Sequence, residues 1–248
     1  MEELEHSYPI VELINKILSK PLASFLKLLG IQVHNPEHFI PDYIVMALIV
    51  ALILIAFFGF ASRKLDPVPS RLQSVLELVI KTFENLLADT IGEQGIKYMP
   101  MIATVGLFIF TANMLGLIPG LMSPTSKLNV TAGCALTVFV YYHWQGIKSQ
   151  GLFKYLKHFT GPIPLLAPLL LPIEIISHFS RPVSLSIRLF GNIFAEELLI
   201  VIIASIIPFF LPLPFMAVAI FTSIIQAFVF VLLACIYIAG AVAHEEEV

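Results

Sequence analysis

Charge is the scarcest thing in this chain: Asp, Glu, Lys and Arg make up 12% of 248 residues, while hydrophobic residues make up 58%. An ordinary soluble domain carries about 25% charged residues, so a soluble globular protein is excluded and an all-α membrane protein is expected. Cysteine is nearly absent. Cys134 and Cys235 lie in apolar segments without metal-ligand spacing, which argues for packing and against a disulfide framework or a zinc site. A stripe of basic residues with interleaved aromatics is missing and the net charge is −3, so no nucleic-acid partner is expected. The N-terminus opens on Glu2, Glu3 and Glu5 where a secretory signal carries positive charge, so it is expected to be retained. There is no His-Glu-x-x-His and no Gly-x-Ser-x-Gly, and His244-Glu245 lacks a second histidine. Those absences leave a membrane hydrolase without a metal set or nucleophile, and no cofactor is expected.

What is present is a series of long uncharged runs. A hydrocarbon core about 30 Å thick takes about 20 apolar residues per helical crossing. Tyr43 to Ala61 is such a run, closed by Arg63 and Lys64 at headgroup depth. Residues 1–42 read as a separate interfacial segment, with an apolar stretch from Ile10 to Leu29 broken by Pro21, and 43–248 as one transmembrane helical domain. Asp66, Pro67 and Pro69 turn the chain into Leu72, Val75, Leu76, Val79, Ile80, Phe83, Leu86 and Leu87, which predicts an amphipathic helix. Tyr98 to Met122 and Leu128 to Ile147 are the second and third crossings, joined near Lys127. Gly161, Pro162, Pro164 and Pro168 then break the backbone, and Pro172 fits the first turn of the next helix.

From Pro172 to Ile207 only Pro182 interrupts, and a helix over that stretch is about 54 Å long, too long for an upright crossing. Pro208, Pro212 and Pro214 precede a last uncharged helix from Phe215 to Ala243. These last two helices are expected to form a long tilted hairpin. Arg63, Lys64, Arg71, Lys81 and Lys97, with Lys148, Lys154 and Lys157, fall in alternate loops, while the opposite loops hold only Lys127. That bias places the N-terminus outside and the C-terminus in the cytoplasm, a parity that five crossings satisfy.

Polar residues of the last two spans cluster: Glu174, His178, Arg181, Ser184, Ser186, Arg188, Asn192, Glu196 and Glu197, then Ser223, Gln226 and Tyr237. Ionisable groups inside a membrane segment are functional candidates by default. Arg188 is flanked by Leu185, Ile187, Leu189, Phe190 and Ile193, and no Lys or Arg follows it. Placing arginine mid-bilayer costs about 2.5–3.5 kcal/mol on insertion scales, so it must face water or an anion. On an ideal helix Glu174 is about 21 Å along the axis from Arg188, Glu196 about 12 Å, and Glu197 about 180° round. Its anionic partner is therefore expected from another chain. Guanidinium stays protonated, so its role is electrostatic rather than proton-passing. Taken singly, Glu174 and Arg181 also fit interfacial side chains with heads in water, and Asn113 and Gln226 fit interhelical hydrogen bonds.

The stretch Arg181-Pro182-Val183-Ser184-Leu185-Ser186-Ile187-Arg188-Leu189-Phe190-Gly191-Asn192 with Glu197 resembles the signature helix of the F-type ATP synthase subunit a family. The Asn113–Pro119 segment, Asn129-Val130-Thr131, Glu174, and Gln226-Ala227-Phe228 with Tyr237 extend the resemblance over nearly the whole chain. The resemblance implies that Arg188 is the essential stator arginine facing a ring of c subunits. Glu197, Asn192 and Gln226 match the ion path, and Glu174 and Ser184 match the cytoplasmic access route; His178, Glu196 and Tyr237 complete the candidate set. Some members place a histidine on the last helix opposite the glutamate; here that region reads Ala219-Ile220-Phe221-Thr222, and Glu196 is the candidate second titrating group. The implied function is an ion-translocating, most simply H⁺-translocating, stator without ATP chemistry of its own, in a bacterial inner membrane. Its implied partners are the c-ring, the peripheral-stalk b subunits, the other synthase subunits and the lipid bilayer. The competing class is a self-contained secondary transporter, which needs repeated halves with two broken helices; Tyr43 to Ala61 has no counterpart of the second half's polar cluster.

Overall fold

The computed structural model describes residues 41–63, 69–118, 120–158, 167–207 and 210–242. Within them the chain forms helices and connecting turns. In order these are α1 (Asp42–Ala61), α2 (Arg71–Ile91), a 3₁₀ segment (Glu93–Tyr98), α3 (Met99–Gly116), α4 (Leu128–Gln150), α5 (Leu152–His158), α6 (Ala167–Ile206) and α7 (Pro212–Val242). The Ile10–Leu29 segment, the Gly161–Pro164 break and Pro208 lie outside the described residues.

Four stretches are long and apolar enough to cross a membrane: Asp42–Ala61, Glu93–Gly116, Pro168–Ile206 and Pro212–Val242. The expected third crossing, α4, has 23 residues and so the same reach, about 34 Å at 1.5 Å per residue. It falls short in hydropathy because its second half reads Tyr141-Tyr142-His143-Trp144-Gln145. The amphipathic helix expected after the first span is α2; the Ser70 side chain caps it, accepting the Gln73 N–H at 3.3 Å.

The start of α6 differs from the sequence reading. The helix begins at Ala167, so Pro172 is internal together with Pro182, rather than in the first turn. Only the first four N–H groups of a helix lack an internal acceptor; each of these two prolines therefore removes one main-chain bond. At 40 residues α6 is about 60 Å long. α7 also starts earlier than expected, at Pro212, which places Pro212 and Pro214 in the first turn, where no N–H is needed.

The main core is built from one face of α6 against α4 and α7. Leu185, Leu189 and Ile193, four residues apart, are buried with Val138 and Tyr142 of α4 and Phe230, Ala234 and Ile238 of α7. Gly106 lets α3 approach α7: a Cβ there would stand 2.5 Å from Val231 Cγ2. α1 has a small core of its own, Val45, Met46 and Val50 against Ala112 and Leu115 of α3. Cys134 and Cys235 are free thiols packed among apolar neighbours.

Two ends of the bundle follow from cross-helix contacts. At one, Tyr43 of α1 meets Asn129 of α4, and the turn holding Ser123 meets Glu197 of α6. At the other, Tyr98 meets Tyr141, Tyr142 meets His178, and Gln150 donates to the Ala241 carbonyl near the end of α7. The second end carries Lys97, Lys148 and Lys154 and is called the basic end below.

Candidate functional site

A helix turning 100° per residue puts Ser184, Arg188, Asn192 and Ala195 along one stripe of α6, and all four are exposed while Leu185 and Leu189 behind them are buried. Among the described residues no carboxylate pairs with Arg188; the ion pair within reach of α6 is Glu174–His178. One edge of the stripe borders α7, where Asn192 Nδ2 donates to Gln226 Oε1 at 2.8 Å. The interhelical bond expected of Gln226 is thus made, and its partner is another candidate residue.

Away from the basic end, Glu197 points off the Arg188 stripe, as its half-turn offset requires. Its Oε1 accepts the Ser123 N–H at 2.8 Å. Ser123 lies in a buried polar knot: its hydroxyl is 3.0 Å from the Ala112 carbonyl and 2.6 Å from the Thr125 hydroxyl, which reaches Asn113 Oδ1 at 2.6 Å. Two hydroxyl hydrogens therefore serve three contacts. Asn113 Nδ2 is buried and has no partner among the described residues. Asn113, Glu196, Glu197 and Ser223 share the lining of a void of about 10 Å³, the size of one water molecule. Glu197 also lines a cavity of about 380 Å³ that extends past Gly120 to Pro212 and Met216. Gly116 is required here: a Cβ would stand 2.5 Å from Ser123 Cβ and 3.0 Å from Glu197 Oε1.

At the basic end, Glu174 Oε1 is 3.2 Å from His178 Nε2 one helical turn on. His178 Nδ1 is 3.2 Å from the Tyr142 hydroxyl of α4. The Arg181 guanidinium lies over the Tyr237 ring at 5.3 Å, a cation–π contact. The structure thus brings together Glu174 with His178, Asn192 with Gln226, and Glu196 with Glu197, and gives Tyr237 the Arg181 head; Ser184 and Arg188 share the exposed stripe with Asn192. Sequence reasoning missed Ser123, Tyr142, His143 and Tyr155. The polar Tyr141–Gln145 run in an otherwise apolar segment was a usable signal for the middle two; nothing local marks Ser123.

The family model described as "ATP synthase A chain" matches residues 44–239. The chain belongs to that family. It is similar to "ATP synthase subunit a" of Sulfurihydrogenibium sp. (strain YO3AOP1), 43% identical over 206 residues, covering 83% of this chain and 99% of the relative. "ATP synthase subunit a 1" of Pelobacter propionicus is 46% identical over 200 residues, covering 81% of this chain and 87% of the relative. "ATP synthase subunit a" of Campylobacter curvus is 46% identical over 201 residues, covering 80% and 89%. Membership in the F-type subunit a family makes the chain an ion-translocating subunit of the synthase membrane sector, working with other synthase subunits in a membrane. A self-contained transporter is not favoured.

Proposed function

We propose that this chain is the non-catalytic stator of a proton path, with Arg188 facing the carboxylates of a c-subunit ring and a half-channel on either side of it. The carrying observation is that Arg188 stands on an exposed stripe of a membrane helix with no carboxylate partner among the described residues. A permanent cation so placed needs an anion from a neighbouring chain. A ring carboxylate reaching it is stabilised in the charged form and releases its proton, and the same cation blocks a direct leak between the two access routes. Glu197, with Glu196, Asn192 and Gln226, lines the outer route, supported by the cavity of about 380 Å³ at Glu197. Glu174, His178, Ser184 and Tyr237 belong to the cytoplasmic route. Each proton moved through the membrane potential delivers about 2.3 kcal/mol per 100 mV to rotation.

In this reading the chain sits in a bacterial inner membrane, N-terminus outside and C-terminus cytoplasmic, with the b subunits of the peripheral stalk as further partners. Cysteine cross-linking tests the geometry. Ser184→Cys, Asn192→Cys and Ala195→Cys should link to c subunits, and Glu197→Cys should not; linkage from Glu197→Cys alone reverses the assignment of faces.

A further inference from the structure

The basic end holds more titratable side chains than the route assigned above uses. His143 Nδ1 is 2.6 Å from the Tyr155 hydroxyl of α5, and the His143 ring lies 5.3 Å, centroid to centroid, from the His178 ring and 4.3 Å from that of Tyr142. Gly146 makes room for Tyr155: a Cβ there would stand 2.5 Å from its ring. Burial pushes the Tyr155 phenol up to about 12, so its hydroxyl keeps its proton at any physiological pH. Two imidazoles, two phenols and one carboxylate from three helices are thus in one contact network, with Arg181 of α6 and Tyr237 of α7 beside it.

Burial is graded across this network. The Glu174 side chain is 36% exposed, that of His178 10%, and Tyr142 is 1% exposed. Glu174 is the more exposed partner and the imidazole lies deeper. Ionised Glu174 only accepts, so the hydrogen of their contact is on His178 Nε2, and Nδ1 of neutral His178 accepts the Tyr142 O–H. We propose that Glu174 and His178, oriented by Tyr142 and backed by the His143–Tyr155 pair, form a proton-collecting site at the mouth of the cytoplasmic route, and that the transported ion is H⁺ rather than Na⁺.

An incoming proton has two places in this site. It adds to the free oxygen of the Glu174 carboxylate, or to His178 Nδ1 while the Tyr142 hydroxyl turns from donor to acceptor. Only N–H and O–H bonds form or break, and release reverses the step. The facing charges limit occupancy: Arg181 beside the site opposes a second cation, while Glu174 favours the first. A sodium ion has no equivalent place, because a hard cation takes several oxygen ligands and imidazole nitrogen suits it poorly.

The inference rests on the reading that Glu174 and His178 belong to the ion path, and the test separates the two. Intact synthase carrying His178→Gln is reconstituted into liposomes with its catalytic head outward, and ATP-driven acidification of the lumen is followed against external pH. Where external protons are scarce, near about pH 8.5, pumping falls about tenfold; near about pH 6.5 it approaches the unaltered rate, and external imidazole restores it at high pH. Tyr142→Phe keeps the ring and gives a smaller loss of the same pH shape. A loss equal at every pH and indifferent to imidazole marks a structural role and overturns the proposal, as do an unchanged profile or uptake of radiolabelled Na⁺. Should His178→Gln fail to assemble, Tyr142→Phe and Tyr155→Phe decide: unaltered pH profiles in both overturn it. Arg188→Ala is run alongside; pumping that survives it defeats the stator reading, whereas the pH profile of His178→Gln tests the collecting site alone.

Discussion

The two ends of α6 hold their carboxylates by different means. Glu197 is fixed by a main-chain N–H from the turn at Ser123, a donor that never titrates; Glu174 is held by an imidazole, a side chain able to take up and release a proton. A carboxylate on a fixed donor has its geometry set by the fold and needs an adjoining cavity for exchange, which the space beside Glu197 supplies. A carboxylate on a titratable partner exchanges through the partner, and the surrounding aromatic shell of Tyr142, His143 and Tyr155 sets which proton goes where. One helix thus carries a rigid site and an adjustable one, separated by Arg188.

Removing the separator has the largest effect. Arg188→Ala should reduce ATP-driven proton pumping by inverted vesicles to background while the chain still inserts, since the change deletes a costly membrane cation and opens no void that lipid cannot fill. Arg188→Lys should be badly impaired, because a point charge lacks the planar fork that meets a carboxylate through two bonds. Normal pumping by Arg188→Ala would sink the stator reading.

The rigid end is tested next. Glu197→Gln keeps the Ser123 bond but removes the charge, and should lower proton conductance about tenfold, with Glu197→Asp doing less harm. Unchanged conductance would make Glu197 a structural acceptor only. The double change with Glu196→Gln should lose more than the two single changes predict if the adjacent carboxylates share a proton.

Gly116→Ala displaces the same carboxylate without altering its chemistry. Its Cβ would press on Ser123 and Glu197, and should cost about 1–3 kcal/mol as an overpacked site, with conductance falling although every polar group remains. Thermal denaturation of the purified complex alongside conductance separates the two effects. The smallest change belongs to neither end of the ion path: Tyr43→Phe deletes the exposed bond from Asn129 to the α1 hydroxyl at 3.0 Å, and should alter stability by less than about 1 kcal/mol and pumping not at all.

Much of this contrast was legible in the sequence, and the exceptions have physical causes. The Arg188 stripe, its separation from Glu197 and the long final hairpin follow from helical periodicity and span length. The start of α6 was misplaced because Pro172 fits a first turn by local rules, yet the helix runs through it as it does through Pro182. The Ser123–Glu197 bond joins residues 74 apart, and no pattern on either segment announces it. His178 was visible but weak alone, since its meaning comes from Tyr142 on another helix and Tyr155 on a short one. Glu174 and Arg181, which fit interfacial side chains when taken singly, also meet His178 and Tyr237, contacts that no single segment announces.

The low hydropathy of α4 has a consequence for biogenesis. A segment bearing Tyr142, His143 and Gln145 partitions poorly into lipid by itself, and the surfaces that bury its second half, α6 and α7, are synthesised only after it. α4 therefore depends for its residence in the bilayer on chain that has yet to leave the ribosome, so the helices carrying the ion path also complete the insertion of the one behind them.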